Sequence, residues 1–356
     1  MKSENKKVLI VYPGKKASGG VAELYNVADF QSDGIHYFEL YGALRNKFNI
    51  LDTLFMYIRF VTSVNKYDIV HLNPSLNKKA FVRDAALILL SRLFYKKVLV
   101  YWHGWTDDFE DKIKSRFIYS FLFKCSFKKA NASVVLGTLF KNKLRSLGYQ
   151  NQIYVGKNCA HNQFLLEENK LVEPRSLHTP IRLFFLSRIE KSKGVYIAID
   201  TARLLNETSL NKYELLIAGH GSELVKVKEY IELNKIPNVK LIGYVNGLEK
   251  HELLKTSDIL LFPSYTEGLP LVILESMIYG IPVITRPVGG IPDIVKDTEH
   301  GFLTESKDPK IFAELVLKLC NDVEFYQKIS KTNATMALEF SPERFKQRLK
   351  VIYDSL

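Results

Sequence analysis

The stretch Ile259-Leu-Leu-Phe-Pro-Ser-Tyr-Thr-Glu267-Gly-Leu-Pro270-Leu-Val-Ile-Leu-Glu275 changes its apolar rhythm halfway along. Four consecutive apolar residues ending at Pro263 read as a buried strand. Proline is comfortable in a helix's first turn, so a helix is expected to begin near Pro270 or Leu271. Its first-turn amides, with Gly268 permitting close approach, would suit a diphosphate and a hydroxyl. Glu267 would sit just before the helix and Glu275 one to two turns inside it. Eight residues is close to two turns, so both carboxylates can point to one face. Alternatively, Glu267 is an N-terminal helix charge and Glu275 a solvated residue. For Glu275 that alternative is poor, because Val272, Ile273, Leu274, Met277 and Ile278 around it are apolar and an acid there needs a partner.

Outward from this βα unit, the same rhythm recurs along the whole chain. Apolar runs stand at Val8–Tyr12, Asp68–Leu72, Val98–Trp102, Ser133–Leu136 and Ile153–Val155 in the first half. They stand at Arg182–Leu186, Leu215–Ala218, Val239–Ile242, Ile259–Phe262 and Val283–Thr285 in the second. Helical patterns lie between them, so the expected fold is α/β, with two doubly wound parallel sheets. Gln163–Pro180, polar and broken by Pro174 and Pro180, is the expected linker. Ligands collect at the carboxyl ends of parallel strands, and a cleft between two facing sheets would be the natural active site.

A chain of 356 residues exceeds what one hydrophobic core serves, in line with two domains. Its 47% hydrophobic and 25% charged residues are those of a globular protein rather than a disordered one. Met1–Lys7 is polar and basic, and Val8–Tyr12 is too short for a signal peptide. No apolar run nears 18 residues, so a cytoplasmic protein is expected. Cys125, Cys159 and Cys320 are widely spaced and read as reduced thiols. The net charge of +12 is uneven: residues 1–160 carry 25 Lys/Arg against 12 Asp/Glu, and residues 161–356 carry 25 against 26. Lys112 to Arg145 holds nine cations and no acid. Such a field attracts phosphate-rich partners.

The segment from Ser264 through Glu267 and Glu275 to Gly280-Ile-Pro282-Val-Ile, then Gly289-Gly290-Ile-Pro292-Asp293 and Gly301-Phe-Leu, resembles the E-x7-E region of retaining GT-B glycosyltransferases, family GT4 (glycosyl transferases group 1). The resemblance implies a GT-B fold of two Rossmann-like domains facing a cleft. Residues 1–162 plus the tail helix 341–356 would bind acceptor, and residues 163–340 would bind a nucleotide-sugar donor. It implies that Glu267 contacts the donor sugar. The backbone of Gly268, Leu269, Pro270 and Leu271 would hold sugar and diphosphate, and Glu275 would accept the ribose hydroxyls. Ser187-Arg188-Ile-Glu-Lys-Ser-Lys193-Gly194 resembles the family's R-x4-K segment, in which Arg188 and Lys193 would neutralise the diphosphate. Two surface cations are the plain alternative, but their place after a strand favours the site. Gly219-His-Gly221 resembles the turn near the nucleotide; a Gly-x-Gly alone is a common strand-to-helix turn. Tyr244-Val245 fits the segment that meets the base, with Tyr244 either a stacking ring or a core tyrosine. With no Asp-x-Asp and no closely spaced histidines, neither a metal nor any other cofactor is expected.

In the first half, Ser18-Gly19-Gly20 opening a helix resembles the family's glycine loop toward donor phosphate and acceptor. His103 in Tyr101-Trp-His103-Gly104 matches the family's cleft histidine, against the plain reading of a structural histidine. Phe117-Ile-Tyr-Ser-Phe-Leu-Phe123, flanked by Lys112, Lys114, Arg116, Lys124, Lys128 and Lys129, reads slightly better as a core helix with a solvated basic face than as an interfacial helix. The acid-free charge nevertheless fits an anionic membrane surface and a glycan or lipid-linked acceptor on the inner face of a membrane. No nucleic-acid module is recognisable. The rival readings are a GT-B epimerase or sugar phosphorylase and, in another class, a non-catalytic basic membrane-docking protein.

Overall fold

A computed structural model describes residues 6–17, 19–30, 34–40, 50–160, 175–209 and 212–356. Ser18 of the glycine loop and residues 163–174 of the expected linker lie outside them. The chain divides into two compact units, Met1–Cys159 with Pro342–Leu356, and Ala160–Ser341.

The first unit opens with β1 (Val8–Tyr12), α1 (Gly20–Ala28), β2 (Ile35–Glu39), α2 (Ile50–Val64) and β3 (Ile69–Leu72). After β4 (Ser75–Leu76) come α3 (Lys78–Leu93), β5 (Lys97–Trp102), β6 (Gly104–Trp105), α4 (Asp107–Ser115) and α5 (Phe117–Cys125). The unit continues with β7 (Ala132–Val135), α6 (Thr138–Ser146) and β8 (Gln152–Val155). Its main sheet is parallel, in the order β2-β1-β3-β5-β7-β8, with Val8 opposite both Ile35 and Ile69.

The second unit runs β9 (Ile181–Leu186), α7 (Val195–Thr208), β10 (Tyr213–Ala218), α8 (Leu224–Leu233), β11 (Val239–Gly243) and α9 (Gly247–Lys255). It continues through β12 (Ile259–Phe262), α10 (Leu271–Ile278), β13 (Val283–Thr285), α11 (Ile291–Ile294) and β14 (Gly301–Leu303) to α12 (Pro309–Asn321) and α13 (Val323–Ala337). Its parallel sheet is ordered β11-β10-β9-β12-β13-β14. The last helix, α14 (Pro342–Ser355), packs on α1 in the first unit. Two doubly wound parallel sheets are therefore present.

The middle strands are continuous apolar runs because helices cover both faces of a parallel sheet. All four residues of β12 are buried, with Ile259 and Leu260 in register with Leu183 and Phe184 of β9. Leu261 lies fully inside the core with Leu183 and Leu215. α10 is buried from Val272 to Ile278 and packs on α13, which a helix apolar all round requires. Helix starts are fixed locally: Asn77, Asp308 and Asp322 accept from Ala80, Lys310 and Phe325 amides at the amino ends of α3, α12 and α13.

One sequence expectation is corrected. α5 is not a core helix, since only Phe123 on it is buried, while Phe117, Ile118 and Phe121 face outward. The helix turns one narrow stripe inward, where Phe123 packs on Phe81 and Phe127 and the half-buried Tyr119 packs on Phe81 and Phe109. The three cysteines are unpaired by disulfides, and burial pushes the Cys159 and Cys320 thiols up to about 12.

Candidate functional site

Every second-unit candidate lies at the carboxyl edge of the sheet, on the loops after β11, β10, β9 and β12, or in α10. Short backbone links stitch these loops together. The Gly219 amide donates to the Gly243 carbonyl at 2.6 Å, and Ile189 donates to the His220 carbonyl at 3.1 Å. A Cβ on Gly219 would stand 1.8 Å from the Ser187 carbonyl oxygen, so only glycine allows the β9 and β10 loops to touch. Gly221 lies against Ile189 in the same way. Farther along the edge, Tyr265 donates to the Ser192 carbonyl at 2.9 Å and Gly290 to the Gly268 carbonyl at 2.7 Å. Gly289 has φ 61°, and a Cβ there would meet the Glu267 carbonyl at 2.0 Å. Gly289→Ala is therefore expected to displace the Glu267 loop and destabilise the second unit by about 3 kcal/mol. A urea midpoint equal to wild type would contradict this.

Two lysines hold the two glutamates. The Lys193 ammonium donates to Glu267 Oε1 at 2.7 Å and to the Thr266 carbonyl at 3.2 Å, and Ser264 Oγ donates to the same Oε1 at 2.7 Å. Lys193 comes from the 3₁₀ turn Lys191–Lys193 that precedes α7, and only 12% of its side chain is exposed. Glu275, buried in α10, accepts from Lys250 of α9 at 2.7 Å. The buried acid thus has the partner its apolar neighbours demanded. Because α10 starts at Leu271, Glu267 stays outside the helix, and each carboxylate answers to its own cation rather than sharing one face. Pro270 stands at the N-cap of α10, and no side chain caps the helix.

Other candidates sit more openly. The Arg188 side chain is 69% exposed and pairs with Glu190 at 2.9 Å. Tyr244 is 71% exposed, which removes the core-tyrosine alternative, while Val245 beside it is buried. Leu269 is buried, and Gly268, Pro270 and Leu271 are half-buried at the mouth of α10.

In the first unit, Gly19 caps α1 and Gly20 begins it; among the described residues nothing lies within 4 Å of where a Cβ on either would sit. His103 is half-buried after β5, stacked on Tyr101 with ring centroids 4.4 Å apart. Its hydrogen bonds fix its tautomer. Asn73 Nδ2 donates to the Val11 carbonyl, so Oδ1 is the acceptor, taking Tyr25 OH and His103 Nε2–H, each at 2.8 Å. His103 Nδ1 is then an acceptor. With Tyr25's proton spent on Asn73, His71 Nε2–H donates to Tyr25 at 3.3 Å, and His71 Nδ1 accepts from Tyr353 OH at 2.6 Å. One directed chain therefore runs from α14 through His71, Tyr25 and Asn73, which also fixes His103. Burial pushes both imidazoles down to about 3, His71 with a further push from a charged His103.

Sequence reasoning missed Lys250, Ser264, Asn73 and the His71–Tyr353 link. Lys250 sits on a polar helix 25 residues from its partner, and nothing local marks it.

Residues 167–336 match the family described as glycosyl transferases group 1. The amylovoran biosynthesis glycosyltransferase AmsK of Erwinia amylovora is 28% identical over 189 residues, 51% of this chain and 46% of its own. The capsular polysaccharide biosynthesis glycosyltransferase CapM of Staphylococcus aureus is 28% identical over 220 residues, 60% and 56% of the two chains. The chain thus spans about half the length of these relatives. Among solved structures, Anabaena HepE in complex with UDP-glucose superposes with a TM-score of 0.77 at 18% identity, over 99% of this chain and 100% of that one. Sucrose-phosphate synthase of Thermosynechococcus elongatus gives 0.73 at 15%, over 99% and 100%. At such identities the likeness establishes the fold.

Proposed function

The chain has the GT-B fold and carries a glycosyl transferases group 1 domain at residues 167–336, and from that premise we propose that it moves a sugar from a nucleoside-diphosphate sugar to an acceptor hydroxyl. The reaction keeps the anomeric configuration and uses no metal, as in the GT4 enzymes its E-x7-E region resembles. The observation that carries this reading is the Lys193–Glu267 pair at 2.7 Å, directly before the uncapped start of α10. A sequestered cation beside first-turn amides suits a departing diphosphate, whose charge grows in the transition state.

In this reading Lys193 and Arg188 neutralise the diphosphate, work that a divalent metal does in other transferases. Glu267 and the backbone of Gly268–Leu271 hold the sugar, and Glu275, steadied by Lys250, accepts the ribose hydroxyls. Tyr244 offers its exposed ring to the base, next to Val245. His103 Nδ1 accepts from a sugar hydroxyl, and the Gly19-Gly20 backbone approaches donor phosphate and acceptor. No enzymic base is required, since the acceptor proton can pass to the leaving phosphate on the same face. The acceptor is a glycan or lipid-linked glycan of cell-surface polysaccharide synthesis, in keeping with the names of AmsK and CapM. The protein works as a cytoplasmic, peripheral enzyme on an anionic membrane, with no nucleic-acid partner.

Thermal melts with UDP-, GDP- and ADP-sugars test the donor. One of them is expected to stabilise the chain by about 2.7 kcal/mol at a hundredfold excess over Kd. Stabilisation by none would overturn the reading and leave a non-catalytic protein. Epimerisation of the donor without acceptor, or sugar 1-phosphate release dependent on phosphate, would assign the site to the rival chemistries.

A further inference from the structure

The helices on one face of the first sheet carry apolar side chains on their outer side. On α2, Leu51, Leu54, Phe55 and Ile58 are exposed at spacings of three and four, one stripe of the helix, while Met56, Phe60 and Val64 on its other side are buried. On α5, Phe117 is 82% exposed and its ring stacks on that of Phe121 at 5.9 Å, with Ile118 exposed beside them. α3 contacts both α2 and α5, so it joins the two stripes, and its own Val82, Leu89 and Leu93 are exposed. Ten large apolar side chains on three neighbouring helices exceed the scatter expected of a solvated face.

Charge identifies what covers them. Arg116 and Lys124 flank the α5 phenylalanines and are exposed; Lys78 and Lys79 begin α3, and Arg92 ends it. Of the acids of α4, Asp107 and Glu110 are paired with Lys143 and Lys114, while Asp108 and Asp111 are exposed and outnumbered by these cations. A second copy would set this basic face against itself, and like charges would repel. An anionic bilayer takes both features, with rings at the acyl boundary and cations at the phosphates. Among the described residues no helix is long and apolar enough to cross a membrane, so the contact is monotopic.

We propose that the outer face of α2, α3 and α5 is a docking surface for an anionic phospholipid bilayer. This gives the membrane placement in the transferase reading its physical surface and rests on that reading only for its biological setting. Vesicle binding is therefore measured without donor or acceptor, so that either reading can fail alone.

The whole chain is co-sedimented with phosphatidylglycerol-containing vesicles and with pure phosphatidylcholine vesicles. Binding is expected to the first only and to weaken with salt. Phe117→Ser with Phe121→Ser, or Leu54→Ser with Phe55→Ser, is expected to lower partitioning about a hundredfold. Arg116→Gln with Lys124→Gln is expected to lower it about thirtyfold. All six side chains are solvent-facing, so circular dichroism melts should match wild type, and the charge pair serves if a serine pair does not fold. Equal binding to neutral vesicles, unchanged partitioning of the variants, or a dimer in sedimentation velocity that the serine pairs abolish would overturn the proposal.

Discussion

Lys193→Ala is expected to lower sugar transfer by about 10²- to 10³-fold, with most of the loss in kcat. The Lys193 ammonium is mostly withdrawn from water and held by Glu267 and the Thr266 carbonyl. A charge so placed needs no reorganisation when a diphosphate departs, and weak dielectric screening enlarges its effect. The same substitution strips the Glu267 carboxylate of its cation, and breaking a buried pair costs about 3–5 kcal/mol in stability. Two effects are therefore mixed in the single variant. Lys193→Met with Glu267→Gln separates them, because a neutral pair of similar volume restores the melting temperature while the transition-state charge stays uncompensated. Turnover in the single variant equal to wild type, or restored in the double variant, would remove Lys193 from the chemistry.

Acid is expected to destabilise the first unit over a window set by His71. This imidazole is fully buried, faces the hydroxyls of Tyr25 and Tyr353 and the stacked ring of Tyr101, and lies near His103. Folding lowers its pKa from the ordinary 6.5 to about 3. Below about pH 6.5 the unfolded chain therefore takes up a proton that the folded chain refuses. Stability is full above that pH, declines as the pH falls, and levels off near 3. The loss attributable to His71 is on the order of 5 kcal/mol, approached at up to about 1.4 kcal/mol per pH unit. His71→Gln should be less stable than wild type at neutral pH, having lost the Tyr353 bond that ties α14 to β3, yet lose less on acidification. Urea midpoints between pH 7 and 4 would show the two curves converging; parallel curves would refute the assignment.

The expected βα units were legible wherever a strand lies inside its sheet. Val8–Tyr12, Ile259–Phe262 and Val283–Thr285 were read to the residue, because burial on both faces leaves an uninterrupted apolar run. The two-residue strands β4 and β6 escaped, and of the main-sheet strands β2 and β14 did, while the other two edge strands, β8 and β11, were read. β2 is Ile-His-Tyr-Phe-Glu with one buried residue, and β14 is three residues opened by a glycine. β2 is largely solvated and polar, and β14 is too short to show a period, so neither stands out from a loop.

α5 shows the opposite error. Its sequence is as apolar as a core helix, and only the fold reveals that it packs on α4 and α3 through one stripe and leaves Phe117, Ile118 and Phe121 in solvent. Composition says that a side chain avoids water, not that it succeeds.

Local pattern was sufficient for the two parallel sheets, for the start of α10 after Glu267, and for the need of Glu275 for a partner. Each depends on neighbours within a few residues, whose spacing fixes periodicity, capping and burial. Tertiary structure alone chose Lys250 as that partner, gave Glu267 to Lys193, oriented His103 through Asn73, and linked His71 to Tyr353 across 282 residues. Those pairings are made by side chains from separate elements, and which of many like-charged lysines or tyrosines arrives at a given carboxylate or imidazole is settled only when the helices pack.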